Sequence, residues 1–319
     1  MSTSGSNRAI VAALLANLGI AVTKFVAFAF SGSSSMLAEG VHSLADTSNQ
    51  GLLLLGGRQS RKKADATHPF GFGRERYVYA FVVSIILFSI GGVFSLYEGW
   101  EKLHNPHPLE NAWLPIVVLL IAICLEGFSF RTAIKESNHV RGKQGWVEFI
   151  RRAKAPELPV VLLEDFAALI GLVLALLGVS LTILTDNSVF DAIGTLCIGV
   201  LLVLVAIVLG IETKSLLVGE GANPADTVAI RDAINAHPKV EALIHMKTLY
   251  LGPEELLIGA KIGFAKSDQL IEVANSINEV EAAIREVVPI ARVIYIEPDV
   301  YIRPKGNTPT ESIVIRAAD

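Results

Sequence analysis

The sequence predicts an α-helical membrane protein in which six transmembrane helices precede a small α+β domain. Hydrophobic residues make up 52% of the chain and charged residues 18%, with a mean hydropathy of +0.51. Soluble domains contain about 25% charged residues, so the surplus apolar surface is expected to face lipid. Because the apolar pattern ends near Lys214, we expect a transmembrane domain at 1–214, a second domain at 215–303 and a polar tail at 304–319.

Each predicted membrane helix has about the 20 residues that a bilayer crossing requires. The third, fifth and sixth helices contain long uncharged runs, whereas the other three carry internal polar groups. The six segments are 9–30, 36–57, 77–98, 112–134, 160–184 and 192–211.

The region after Lys214 has shorter periodic segments in the order α-β-β-α-β. An amphipathic helix is expected at 224–236, opened by Pro224, and a second helix at 267–288. Strands are expected at 240–249, 255–264 and 291–296. About 80 residues with one core suffice for a small α+β domain.

Positive charge is distributed unequally between the two sides of the predicted bundle. The connections 58–76 and 131–154 are rich in Lys and Arg. The loops on the opposite side, 31–35, 99–111 and 185–191, contain Lys102 and no other Lys or Arg. The positive-inside rule therefore predicts that both termini and the second domain are cytoplasmic. The basic connections are also suited to contact with lipid head groups.

Composition excludes several other classes of protein. A formal net charge of −4 gives no support to nucleic-acid binding, and no cofactor is expected. Cys124 and Cys197 lie in apolar segments and indicate no disulfide framework. Residues 1–7 show neither a signal peptide nor an Arg-rich transit peptide, so we expect a bacterial plasma membrane, with an organellar membrane as the alternative.

The second predicted helix carries ionisable residues within an apolar segment. Glu39, His42 and Asp46 are spaced three and four apart and share one helical face. An Asp at the centre of a membrane helix costs about 2.5–3.5 kcal/mol on insertion scales, so such residues usually have a function.

A second acidic pair, Glu164 and Asp165, lies in the fifth helix. If the second and fifth helices pack antiparallel, His42, Asp46 and Asp165 can meet, and Glu164, about 100° further around its helix, either completes the site or faces another helix. One imidazole and two or three carboxylates suit Zn²⁺, and also Mn²⁺ or Fe²⁺. Since these ligands must be deprotonated, protons compete with the metal.

Other polar residues of the bundle have two interpretations. The whole acidic group could be a structural network between helices. Glu126 could be a partner of the site or a proton carrier, and Lys24 could neutralise Glu39 or extend outward. Asn17, Asn49 and Gln50 are expected to form interhelical hydrogen bonds.

The chain resembles the cation diffusion facilitator family, in the branch of zinc transporter nine. The resemblance rests on His42-x-x-x-Asp46, the loop 65–76, the sequence Val-Leu-Leu-Glu164-Asp165, and the cytoplasmic domain. It implies six membrane helices, a ferredoxin-like domain, a homodimer, and export of Zn²⁺ or a related ion in exchange for protons by alternating access. It also implies that His42, Asp46 and Asp165 bind the ion.

The chain departs from the family pattern at three metal positions. Val161 stands where zinc exporters usually have His, and Glu164 could compensate. In the loop after the second helix, Phe72 replaces the second His, so Asp65 and His68 are expected to serve loop structure. His245 falls at a family metal position, but the strand ending at Ile296 lacks the expected His–Asp pair, so we interpret His245 as a strand residue. His104 and His107 are expected in an outer loop.

Three other functions compete with this interpretation. An exporter of Mn²⁺, Fe²⁺ or Co²⁺ would have the same fold. A non-transporting scaffold that senses metal is compatible with the reduced accessory sites. A membrane metalloenzyme would require a His-Glu-x-x-His run or a nucleophile beside a base, and the predicted helices contain neither.

Overall fold

The structure, a computed structural model, describes residues 3–31, 34–105 and 113–301. Within these ranges, the side chains of 3–6, 27–28, 30–31, 34–42 and 114 lie outside the description. The predicted tail at 304–319 and His107 also lie outside it.

The described part of the transmembrane region consists of helices and the connections between them. A single π-helical segment, Leu87–Val93, joins α3 and α4 into one continuous span. The helices are α1 (Thr3–Ser31), α2 (Ser34–Gln59), α3 (Glu75–Ile86), α4 (Phe94–His104), α5 (Trp113–Arg141), α6 (Trp146–Arg152), α7 (Glu157–Thr185) and α8 (Val189–Val218).

The described residues of all six predicted membrane segments are helical. Among the described residues, five segments are long and apolar enough to cross a membrane: Asn7–Val26, Glu75–His104, Pro115–Arg141, Glu157–Thr185 and Val189–Val218. The remaining predicted span, the second, is α2, which has 26 residues but is less apolar because it carries polar residues along its length. The short helix α6 was not predicted, since its seven residues are too few for a periodic signal.

The chain forms two compact units, Met1–His68 with Arg74–Leu217, and Pro69–Gly73 with Val218–Asp319. In the first unit, α1 packs against α2 and α5, and α5 packs against α7. Its apolar core draws on most of these helices and includes Ile10, Leu53, Val161 and Leu209. The site residues described below lie between these packed helices.

Glycines allow α4 to approach α8 closely. A β-carbon on Gly99 would lie 2.9 Å from the backbone nitrogen of Leu196, and one on Gly199 would lie 2.8 Å from that of Leu96. Two helices can come this near only where one of them has no side chain.

The second unit is a three-stranded sheet with two helices. Its elements are α9 (Pro224–Asn235), β1 (Ala242–Gly252), β2 (Glu255–Phe264), α10 (Leu270–Val287) and β3 (Val293–Val300). The strand order is β1-β2-β3, with β1 antiparallel and β3 parallel to β2. Each element predicted for this region is present, and the alternation in β2 buries Leu256, Ile258 and Ile262 against the helices.

Local signals set the helix starts in this unit. Asn223 caps α9 by accepting a hydrogen bond from the Asp226 backbone, and Pro224 occupies the first turn. Gln269 and Glu272 form a capping box at the start of α10.

A short segment of the α2–α3 connection, Pro69–Gly73, belongs to the second unit. A β-carbon on Gly73 would lie 2.7 Å from the carbonyl oxygen of Leu251, at the end of β1. The two backbones therefore touch where neither Gly73 nor Gly252 has a side chain.

Candidate metal site in the transmembrane domain

Asp165 lies in the third turn of α7 and its side chain is 0% exposed. The Ser129 hydroxyl of α5 donates a hydrogen bond to Asp165 Oδ2 at 2.6 Å. Asp165 Oδ1 is buried and accepts no hydrogen bond from a hydroxyl or amine of the described residues. A buried carboxylate oxygen without such a donor can bind a cation or a proton.

Three further acids surround Asp165. The Glu126 carboxyl of α5 lies close to the Asp165 carboxyl. Asp46 of α2 is half-buried and close enough for its charge to act on Glu126, Glu164 and Asp165. Three helices thus contribute four carboxyl groups to one region.

Glu164 precedes Asp165 in the sequence and is also buried, but its carboxylate points towards α2. Asn49 Nδ2 donates to Oε1 at 2.9 Å, and Gln50 Nε2 donates to Oε2 at 2.8 Å. Adjacent helix residues point about 100° apart, which explains why Asp165 faces α5 while Glu164 faces α2.

The structure describes the side chains of only some of the predicted metal ligands. The side chains of His42 and Glu39 lie outside the described residues. Within the part of the chain whose side chains are described, no group of three or more His, Cys, Asp or Glu residues is arranged to hold a metal ion. The assignment of His42, Asp46, Asp165 and Glu164 as ligands therefore stays a prediction. Val161, which stands where zinc exporters of the resembled family usually have His, is buried in the apolar core.

The amide side chains form interhelical hydrogen bonds, as predicted. Asn17 Nδ2 of α1 donates to Gln50 Oε1 at 3.3 Å, and Gln50 in turn donates to Glu164. Lys24 does not extend outward, because it is 6% exposed and its Nζ donates to Ser43 Oγ at 2.9 Å.

The loop residues Asp65 and His68 form a local turn. Asp65 Oδ1 accepts the backbone N–H of Thr67 at 2.9 Å and that of His68 at 2.6 Å. The hydrogen bond from the His68 backbone is the main cause that lowers the pKa of Asp65 below its usual value. This geometry supports the expected structural role.

The predicted accessory position in the second unit is next to an ion pair. His245 is exposed on β1, opposite Lys261 of β2. The Lys261 ammonium lies 3.0 Å from Glu297 Oε1 and 3.1 Å from Asp299 Oδ2, so a cation of the chain itself already binds these acids. His104 lies at the end of α4 rather than in a loop, with Nδ1 2.9 Å from the Trp100 carbonyl oxygen.

Sequence reasoning missed Ser129 as a partner of the site. A signal was available, since Ser129 follows Glu126 by three residues and therefore shares its helical face. The bonds from Asn49 and Gln50 to Glu164 could not be foreseen, because they depend on how α2 and α7 pack.

Comparison with known proteins supplies the family. Residues 10–218 match the cation efflux transmembrane domain. This match covers the described part of α1 to α8 apart from the first residues of α1, and so includes every candidate ligand.

The chain is similar to relatives that carry three different names. The chain is 30% identical over 262 residues to the proton-coupled zinc antiporter SLC30A9, mitochondrial, of Mus musculus, covering 82% of this chain and 46% of that protein. It is 31% identical over 261 residues to metal tolerance protein C4 of Arabidopsis thaliana, covering 81% of this chain and 57% of the relative. It is 26% identical over 299 residues to the cation-efflux pump FieF of Serratia proteamaculans (strain 568), covering 94% of each chain.

The chain spans about half the length of the zinc antiporters it matches. The resemblance to the zinc transporter nine branch is confirmed, and it indicates a multi-pass membrane protein of a cation efflux family rather than of an enzyme family. The protein belongs to the cation efflux family.

Proposed function

We propose that the protein exports Zn²⁺ in exchange for protons, using His42, Asp46 and Asp165 as ligands. The observation that carries the proposal is the Asp165 carboxylate, which is completely buried in a membrane helix with one oxygen bound by Ser129 and the other without a hydroxyl or amine donor among the described residues. A group in that position needs a cation or a proton. The relatives named as proton-coupled zinc antiporters support the same substrate.

The carboxyl cluster accounts for coupling between metal and protons. Asp46 and Asp165 must be deprotonated to bind a dication, and Glu126 lies beside Asp165 to share a proton with it. When the site faces the cytoplasm, the deprotonated groups bind the ion. When the site faces the opposite side of the membrane, protons replace the ion. The protonated site then returns to the cytoplasmic side, which completes a cycle of alternating access.

The second unit supports the proposal of a homodimer. Leu270 and Ile271 at the start of α10 are 83% and 64% exposed, and Tyr295 of β3 is 60% exposed. A small domain covers its apolar groups poorly by itself, and a second copy would cover them. The mass of the detergent-solubilised full chain tests this, and a monomer would contradict it.

The positive charge in the connections 58–76 and 131–154 supports an orientation with both termini cytoplasmic. A bacterial plasma membrane is the proposed location, with an organellar membrane as the alternative, since the relatives include bacterial pumps and mitochondrial proteins. The orientation is tested by introducing single cysteines into these connections and labelling them in intact cells with a reagent that does not cross the membrane. Cytoplasmic connections should not be labelled.

Transport in proteoliposomes tests the function directly. The wild-type chain should accumulate Zn²⁺ when a pH gradient is imposed, and Asp165→Asn and Asp46→Asn should abolish the flux while leaving the protein folded. Absence of flux in the wild type would favour a non-transporting scaffold.

A harder dication is the second candidate substrate. The described acids offer oxygen ligands, and Val161 gives no second imidazole. Oxygen ligands suit Mn²⁺ as well as Zn²⁺. Competition by Mn²⁺, Fe²⁺ and Co²⁺ in the same assay distinguishes the substrates, and stronger uptake of Mn²⁺ than of Zn²⁺ would overturn the zinc assignment.

A further inference from the structure

The carboxylate of Glu164 is held between two consecutive amide side chains of α2. Asn49 Nδ2 donates to one oxygen at 2.9 Å and Gln50 Nε2 to the other at 2.8 Å. All three side chains are buried, with exposures of 1% for Asn49, 0% for Gln50 and 5% for Glu164. We call this arrangement the amide clamp.

The amide clamp extends to a third helix. Gln50 Oε1 accepts a hydrogen bond from Asn17 Nδ2 of α1 at 3.3 Å. Through three buried hydrogen bonds, one carboxylate of α7 is therefore connected to α2 and α1. Such bonds between membrane helices fix which residues face each other.

The position of the clamp relates it to the two acids of the proposed site. Asp165 follows Glu164 on α7, and Asp46 precedes Asn49 and Gln50 by three and four residues, on the same side of α2. If α2 moved by one turn, about 5.4 Å, Asp46 would no longer be opposite Asp165. The clamp is thus placed to keep these two acids at one level.

We propose that Glu164 is a positioning residue, which aligns α2 with α7, and that the metal is bound by His42, Asp46 and Asp165 without it. The inference rests on the proposed function, because it concerns the ligands of that site. It gives Glu164 a role other than the fourth ligand that the sequence suggests.

The two roles differ in whether the negative charge must be on α7. A ligand has to present its carboxylate to the metal from position 164. A clamp needs only an amide opposite a carboxylate, on whichever helix each one lies. Exchanging the two groups between the helices therefore separates the roles.

The exchange is the double variant Gln50→Glu with Glu164→Gln. In it, Gln at 164 accepts from Asn49 and donates to Glu at 50, which still accepts from Asn17. All three hydrogen bonds of the clamp are retained with donor and acceptor reversed in one of them. The single variant Gln50→Glu instead places two carboxylates in contact, where like charges repel.

Zinc flux and the KM for Zn²⁺ are measured in proteoliposomes for the wild type, both single variants, the double variant and Asp165→Asn. We expect Gln50→Glu to lower the flux about tenfold or more, as a buried repulsion of ~1.4 kcal/mol would. The double variant should recover the flux and the KM to within about threefold of the wild type, since the interaction energy of the pair is restored. Asp165→Asn gives the zinc flux that is expected when a metal ligand is lost.

The thermal unfolding midpoint of each solubilised variant separates folding from transport. A double variant that recovers the midpoint but transports no better than Asp165→Asn would overturn the inference, because the charge would then be required at position 164. Full activity of Gln50→Glu, or a midpoint that the second substitution does not recover, would also overturn it. Absence of flux in the wild type would instead reject the proposed function and the inference with it.

Discussion

Ser129 Oγ lies 2.6 Å from Asp165 Oδ2 and donates the hydrogen bond that connects α5 to the buried acid of α7. Eight residues further along α5, Ser137 is equally buried, but its hydroxyl has no hydrogen-bond partner among the described residues. Both serines are 0% exposed, so they differ in bonding and not in burial.

The substitution Ser129→Ala should lower the free energy of unfolding by about 1–3 kcal/mol, because it leaves a buried carboxylate oxygen without its donor. It should also raise the KM for Zn²⁺, since the orientation of Asp165 is no longer fixed. Ser137→Ala is the control and should be close to neutral, because no hydrogen bond is lost. Equal losses of stability in the two variants would contradict the assigned role of Ser129.

Arg76 and Glu157 form a buried ion pair between the first turns of α3 and α7. Removal of either partner should destabilise the protein by about 3–5 kcal/mol, because it breaks a buried ion pair. The variants Arg76→Met and Glu157→Gln, with their double variant, measure this by thermal or denaturant unfolding, and the double should lose less than the sum of the singles. As a control, Glu148→Gln breaks the exposed pair with Arg152 and should change stability by about 1 kcal/mol or less. Additive losses in the buried pair would show that the two charges do not interact.

Gly252 and Gly73 approach each other within the second unit. The substitution Gly252→Ala would place a β-carbon 2.8 Å from Gly73 Cα, where backbone must move to make room. We expect the segment Pro69–Gly73 to separate from β1, with faster hydrogen exchange of its amides by mass spectrometry. Gly259→Ala is the matched control on β2, since the nearest atom is 3.9 Å away. Unchanged exchange in Gly252→Ala would contradict the close contact.

The ion pairs of Lys261 should make the stability of the second unit depend on pH. Hydrogen bonds to Glu297 and then Asp299 raise the pKa of Lys261, and the hydrogen bond from Lys261 lowers the pKa of Asp299. The contribution from Asp299 is complete above its ordinary value of 3.8 and is lost as the pH falls through the lowered pKa. The contribution from Lys261 is complete below 10.5 and is lost as the pH rises through the raised pKa.

Lys261→Met should therefore lower the unfolding midpoint most between these two values and have little effect at either extreme. Lys247→Met, an exposed lysine of the neighbouring strand, is the control and should show no such window. A constant difference between wild type and Lys261→Met at every pH would show that the effect comes from packing rather than charge.

Many elements of the fold were predictable from the chain because their signals are local. Apolar runs of fixed length marked the membrane helices, and period-two alternation marked β2, where alternate residues are buried. The capping of α9 by Asn223 and Pro224 likewise depends on residues next to each other. Helix α6 was missed because seven residues are too few for a periodic signal.

The candidate site was predictable only in its residue types. An acid in an apolar helix is conspicuous, so Asp46, Glu164 and Asp165 could be selected from the sequence. Their partners could not, because Ser129 reaches Asp165 from 36 residues away and Asn49 reaches Glu164 from 115 residues away.

The sequence by itself determined the class of protein, the helices and strands, and the acids that the membrane region contains, since each follows from neighbouring side chains. The tertiary structure decided how those acids are used: Asp165 faces the Ser129 hydroxyl, while Glu164, its neighbour, is bound by the amides of α2. The physical reason is that successive helix residues point about 100° apart, so helix packing alone selects which neighbour each carboxylate meets.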